Sequence, residues 1–229
     1  MQTNRVISVF GDSILKGVRL LSGTTRYGTT DDIGLESIAK QHDWTLQNCS
    51  RFGCTIRKGE LLLNRQLEKG DAPDAVLLEY GGNDADFRWA EIAERPYDEH
   101  QPNTPLPLFI ETLRRMIETL CAHRVKPVLT TLPPILSERY LDWITRGGLS
   151  KEHILTWLGD ANAIYRYQEK YSLAVERLAR ETGCPLVDLR SAFLEKRSLL
   201  PYLCEDGIHP SDAGQRLIHD ALSAAAANI

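Results

Sequence analysis

The chain has 229 residues, 42% of them hydrophobic and 25% charged. That is the composition of a globular protein, at a length an α/β fold often fills as one domain. A net charge of −4, a sequence pI near 5.9 and the lack of any Lys/Arg block argue against nucleic acid or an anionic membrane as main partner, and favour an uncharged or weakly charged substrate.

The opening, MQTNRVISVF, carries an apolar stretch of about five residues, short of the ~7–15 of a signal-peptide core. No run approaches the ~18 of a membrane span. The expected location is the cytoplasm, without stable membrane association. The five cysteines, Cys49, Cys54, Cys121, Cys184 and Cys204, are odd in number and lack C-x-x-C spacing. Neither a disulfide framework nor a zinc site is signalled, and reduced, mostly buried thiols are expected.

In chain order, the first apolar run is VISVF (6–10), which ends in GDSILKG. WTLQN (44–48) and AVLLEYG (75–81) follow as strands. Leu108, Phe109, Leu113, Met116, Ile117 and Leu120 recur at three- and four-residue steps and predict a helix over 106–123. PVLTTL (127–132) is the fourth strand. A second helix is predicted over 162–182, with Gly183 as its C′ residue, and PLVDL (185–189) is the fifth strand. A last helix opens near Ser211 or Asp212. Strands alternating with helices predict a parallel sheet covered on both faces, in one domain over 1–229. Two excursions interrupt the alternation, near 84–105 and 133–160, and are expected as functional loops, lids or extra helices anchored by aromatics.

Ligands of parallel α/β sheets bind outside the carboxyl ends of the strands, which is where GDSILKG falls. Ser13 is expected in the turn feeding the next helix, where free N–H groups and the helix dipole favour negative charge; the alternative role there is a helix N-cap. A serine nucleophile needs a base and a group to orient that base. EDGIHPSDAG (205–214) offers both, Asp206 standing three residues before His209. Asp188, at the end of PLVDL, is a rival orienting acid. Asn83 in YGGND and Gly53 in NCSRFGCT follow two other strands and are candidate oxyanion donors beside the N–H of Ser13. Taken singly, Gly53 reads as turn chemistry and Asn83 as an Asx-turn.

GDSILKG, the N-x-x-x-x-G-x-T from Asn48 to Thr55, the G-x-N-D from Gly81 to Asp84 and the D-x-x-H from Asp206 to His209 occur in this order. Together they resemble the four signature blocks of the SGNH hydrolases, also called GDSL-type esterases and lipases. The resemblance implies a three-layer, flavodoxin-like α/β fold with five parallel strands. It also implies Ser13 as nucleophile, Gly53 and Asn83 as oxyanion donors with Ser13, and Asp206 and His209 completing a triad. Ile14 replaces the leucine of the family's name. The α/β-hydrolase elbow G-x-S-x-G is absent around Ser13.

The expected activity is hydrolysis of short-chain acyl esters, with O-acetyl groups on carbohydrate as the leading substrate and neither metal nor organic cofactor. Asp12, Cys54, Arg88, Trp89, Trp143 and Trp157 are the expected substrate contacts, the tryptophans offering flat apolar faces to a sugar. The alternatives are a lysophospholipase or thioesterase with a longer groove lined by Leu141, Ile144, Leu149, Ile154, Leu155 and Leu158, an acyltransferase, or a binding module without turnover.

Overall fold

A computed structural model of the chain describes residues 4–29, 34–70 and 72–229. The strands are β1 (Arg5–Gly11), β2 (Val18–Leu20), β3 (Tyr27–Thr29), β4 (Trp44–Asn48), β5 (Ala75–Glu79), β6 (Lys126–Thr130) and β7 (Leu186–Val187). The helices are α1 (Leu35–Gln41), α2 (Ile56–Glu68), α3 (Gly82–Ala85), α4 (Trp89–Glu94), α5 (Leu106–Ala122), α6 (Ser137–Thr145), α7 (Lys151–Leu158), α8 (Asn162–Thr182), α9 (Leu189–Leu194) and α10 (Asp212–Ala225).

Five strands form one parallel sheet in the order β4-β1-β5-β6-β7, and β2 and β3 pair as a separate antiparallel ribbon. Counting only the parallel strands, this is the flavodoxin order 2-1-3-4-5, whose switch point lies between β1 and β5. Every residue of β5 is buried, as a central strand covered on both faces requires. Its side chains alternate between two cores. Val76 and Leu78 pack with Leu63, Phe109, Met116, Leu120, Tyr171 and Leu178 from α2, α5 and α8. Ala75 and Leu77 pack on the other face with Ile38, Phe193, Ile218 and Leu222 from α1, α9 and α10. Three layers result.

The excursions build a third core. Phe87, Trp89 and Ile92 around α4 pack with Tyr140 and Leu141 of α6, Ile154 of α7 and Ile164 of α8. Residues 133–160 therefore hold two helices anchored by aromatics, one of the expected alternatives. Leu141 and Ile154 are fully buried and the rest of the proposed long-groove lining is packed around them. The thiols are less buried than expected: Cys54 is buried, Cys49, Cys184 and Cys204 are half-buried, and Cys121 is exposed.

Candidate active site

The sheet register brings the site together. Gly11, the last residue of β1, is paired with Glu79, the last of β5, so the loops carrying Ser13 and Asn83 leave the sheet side by side. The loop after β4 runs along the opposite flank, where the Cys49 and Arg51 N–H groups donate to the Val9 and Gly11 carbonyls at 2.8 and 3.0 Å. Asn48 fastens that loop to the serine turn by donating to the Leu15 carbonyl at 3.0 Å.

The environment of Ser13 differs from the sequence expectation. No helix follows it directly. The chain turns back through Lys16 N–H to Asp12 O (3.2 Å) and Val18 N–H to Ser13 O (2.9 Å), and re-emerges as β2. A tight turn, and not the N-terminus of a following helix, therefore presents the hydroxyl. Ile14 packs against the core beneath α1 and α10 and also lines the cavity beside Ser13.

His209 reaches Ser13 from the far end of the chain. Its Nε2 lies 3.0 Å from Ser13 Oγ, and its Nδ1 lies 2.6 Å from Asp206 Oδ2. The other carboxylate oxygen accepts the N–H groups of Ile208 and His209, both at 3.1 Å. Burial raises the Asp206 pKa, but these bonds outweigh it and hold the carboxyl below its ordinary range. The loop is set by Gly207, at φ +76, where a Cβ would fall 2.6 Å from the Leu136 carbonyl. Ser211 caps α10 by accepting the Gly214 N–H. Asp188 serves elsewhere: it caps α9 through the Ser191 N–H and accepts from Thr131.

Ser13 and Asn83 line one cavity, whereas Gly53 lines an outer groove next to Cys54. Among the described residues the N–H groups of Ser13 and Gly53 donate to no protein acceptor. Gly53 sits at φ +66 with no protein atom within 4 Å of a notional Cβ, so the left-handed turn, and not crowding by the protein, is what calls for glycine there. Asn83 Nδ2 donates to Asp12 Oδ2 at 2.8 Å and, at a long 3.4 Å, to the Cys54 carbonyl. Asp84 is buried and accepts the Ile56 N–H at the start of α2 with both oxygens, at 3.0 and 3.1 Å. It ties the Gly53 loop to the Asn83 loop. Burial, foremost, pushes its pKa up to about 7.

A cavity of about 80 Å³ opens beside Ser13, walled by Ile14, Leu132, Pro133, Ile135, Ile164 and Ile208. Of the expected substrate contacts, Asp12 and Trp89 line it. Trp143 does not line it; it stands edge-on to Tyr27 with the Arg146 guanidinium over its ring. Cys54 is buried and borders a separate outer groove with Arg51, Phe52 and Lys58. Arg88 and Trp157 are not brought to the cavity: Arg88 is exposed and pairs with Glu91, and Trp157 packs on Phe87 and Tyr167.

Several residues escaped sequence reasoning. Tyr27 of β3 lays its ring 4.9 Å from that of His209, and Phe52 stacks at 5.8 Å. Burial, then the Asp206 charge, pushes the Tyr27 phenol up to about 12. Asp86 lines the cavity, accepting from Trp89 Nε1 and Tyr140 Oη at 2.8 Å each. Glu79 lies on the cavity floor. An acid closing an otherwise apolar strand was a visible signal; for Tyr27 there was none.

Fold and site together are those of an α/β protein with a serine, an imidazole and a carboxylate in line at the switch point of a parallel sheet. The model of the GDSL-like Lipase/Acylhydrolase family matches residues 9–217, and the chain belongs to that family. It is 30% identical over 124 residues to an isoamyl acetate-hydrolyzing esterase of Saccharomyces cerevisiae; the match covers 52% of this chain and 47% of that protein, about half its length. Its fold is shared with a lipase/acylhydrolase from Enterococcus faecalis (TM-score 0.67, 21% identity, 96% of this chain and 94% of that one). It is also shared with a catalytic mutant of an acetylxylan esterase from Geobacillus stearothermophilus (TM-score 0.65, 18% identity, 97% and 94%). Among the described residues no helix is long and apolar enough to cross a membrane.

Proposed function

We propose that the protein is a serine esterase that hydrolyses short-chain acyl esters, with O-acetyl groups on carbohydrate as its leading substrate class. The observation that carries this reading is the unbroken hydrogen-bonded line from Ser13 Oγ through His209 to Asp206, 3.0 and 2.6 Å long.

His209 takes the Ser13 proton at Nε2 as Oγ attacks the ester carbonyl. Asp206 holds Nδ1–H and stabilises the imidazolium. The oxyanion is received by the Ser13 and Gly53 N–H groups and by Asn83, whose long bond to the Cys54 carbonyl leaves a hydrogen to turn toward it. The alcohol departs with the proton from His209, and water repeats the sequence on the acyl-enzyme.

The cavity is small, about 80 Å³, and walled largely by apolar side chains, which suits a short acyl chain. The apolar side chains of α6 and α7 are spent on packing instead of lining a groove. Across His209 from the cavity, Tyr27, Phe52 and Trp143 form a partly exposed aromatic rim where a sugar ring could rest during turnover. The yeast relative is an isoamyl acetate-hydrolyzing esterase and one structural neighbour an acetylxylan esterase, and both names concern acetyl esters. A rate panel on p-nitrophenyl esters from acetyl to palmitoyl tests the reading, the expected optimum being acetyl. A fluorophosphonate probe should label the wild type and not Ser13→Ala; persistent labelling, or rates rising with chain length, would refute it.

A further inference from the structure

A buried carboxyl oxygen that no donor reaches needs an explanation, and among the described residues Oε1 of Glu79 is such an atom. It is 0% exposed, closes β5 and lines the cavity floor. Oε2 accepts the Asp12 N–H at 3.2 Å, whereas Oε1 has no hydrogen-bond donor. The carboxyl of Asp12, 2% exposed, lies within hydrogen-bonding reach of the Glu79 carboxyl. Gly11 leaves room for this approach, since a Cβ there would stand 3.0 Å from Glu79 Oε2. The titratable groups around the pair are Cys54, Tyr80, Asp84 and, on the Asp12 side, His209. Among the described residues no lysine or arginine is salt-bridged to either acid.

Two carboxyls side by side in a water-poor site cannot both be ionised, and one shared proton satisfies both. Both Asp12 oxygens meet N–H donors while Glu79 Oε1 meets none, so the shared proton belongs on Glu79, in keeping with burial and the neighbouring Asp12 raising its pKa. Asp12 has a further task. One oxygen accepts the Ile14 N–H at 2.9 Å and the other accepts Asn83 Nδ2 at 2.8 Å.

We propose that Glu79 is a positioning residue: as a neutral acid it donates its proton to the Asp12 carboxylate, which in turn fixes the amide of Asn83 toward the oxyanion. The inference rests on the serine-esterase reading. Sharing the proton also draws negative charge away from the side of Asp12 nearest the developing oxyanion, where a full charge would oppose it. Without Glu79, Asp12 either keeps that full charge or takes up a proton itself and stops accepting from Asn83. Both slow the acyl-transfer step and leave ground-state binding nearly untouched.

The test combines infrared spectroscopy with kinetics on the full chain. At neutral pH, the difference spectrum of wild type against Glu79→Gln should contain the carbonyl-stretch band of a protonated carboxyl. With p-nitrophenyl acetate, Glu79→Leu should lower kcat roughly 10–100-fold with KM little changed, the range expected for a misplaced oxyanion donor. Glu79→Gln, whose amide still donates from the same place, should recover most of that loss. Absence of the band, a wild-type kcat for the Leu variant, or a Gln variant as slow as Leu would overturn the proposal. If the Leu variant does not fold, as judged by circular dichroism, the infrared band decides alone. Failure of the serine reading would show separately, as fluorophosphonate labelling that survives Ser13→Ala.

Discussion

Replacing Asp206 by asparagine tests the site with little disturbance of its surroundings. Asp206 Oδ1 is held by two backbone N–H groups, from Ile208 and His209, and an amide nitrogen cannot accept either. The asparagine oxygen must therefore stay where Oδ1 is, which places the NH₂ against His209 Nδ1, 2.6 Å away in the wild type. Nδ1 then has to accept, and the single imidazole proton moves to Nε2, pointing at Ser13 Oγ at 3.0 Å. A nitrogen that already carries a proton cannot take another from the serine. The expected loss in kcat is about 10⁴-fold, or roughly 5.5 kcal/mol of barrier at 1.36 kcal/mol per decade. Steady-state turnover of p-nitrophenyl acetate at neutral pH measures it, with Asp188→Asn alongside as the control that disturbs the α9 cap and the Thr131 bond but not the triad. A kcat for Asp206→Asn within tenfold of wild type would refute the tautomer argument and, with it, the role given to Asp206.

Three further outcomes are expected. Asn83→Ala should lower kcat by roughly 10²–10³ with the fold intact, as loss of one oxyanion donor does, and a wild-type rate would remove Asn83 from the mechanism. Gly207→Ala should destabilise the chain by about 2 kcal/mol or more, because alanine pays ~1–2 kcal/mol for the left-handed backbone and its Cβ meets the Leu136 carbonyl at 2.6 Å; the denaturation midpoint and kcat should fall together as the His209 loop shifts. Asp84, with its pKa pushed up to about 7 from an unfolded value of 3.8, binds its proton more tightly in the native state. Its contribution therefore weakens as pH rises from about 4 to 7, by on the order of 4 kcal/mol. Urea midpoints measured at pH 5 and pH 8 should show a flatter dependence for Asp84→Asn than for wild type, and equal slopes would contradict the raised pKa.

What was legible in the sequence follows from periodicity and punctuation. WTLQN became β4 over the same five residues, and the 162–182 stripe became α8, with Gly183 left-handed at φ +69 just beyond it. Both signals are local. The last strand shrank to Leu186–Val187 because Asp188 leaves the sheet to cap α9. The β2–β3 ribbon went unseen because two three-residue strands carry too few positions for a period to show. That omission also hid Tyr27. Helix α2 buries Ile56, Leu63 and Leu67 among charged residues, a sparse stripe that a search for apolar runs passes over. At the site, the D-x-x-H spacing held the geometry because three residues of a tight turn bring a carboxylate back to its imidazole. The expectation of a helix after Ser13 failed because a strand end does not determine whether the chain next coils or folds back.

The Ser13–His209 contact joins residues 196 positions apart. In the proposed reaction, the hydroxyl leaves the ribosome 196 residues ahead of its base. A nascent chain accordingly carries an unarmed nucleophile through all of that stretch of synthesis, and any fragment cut between the two remains inert toward the esters around it.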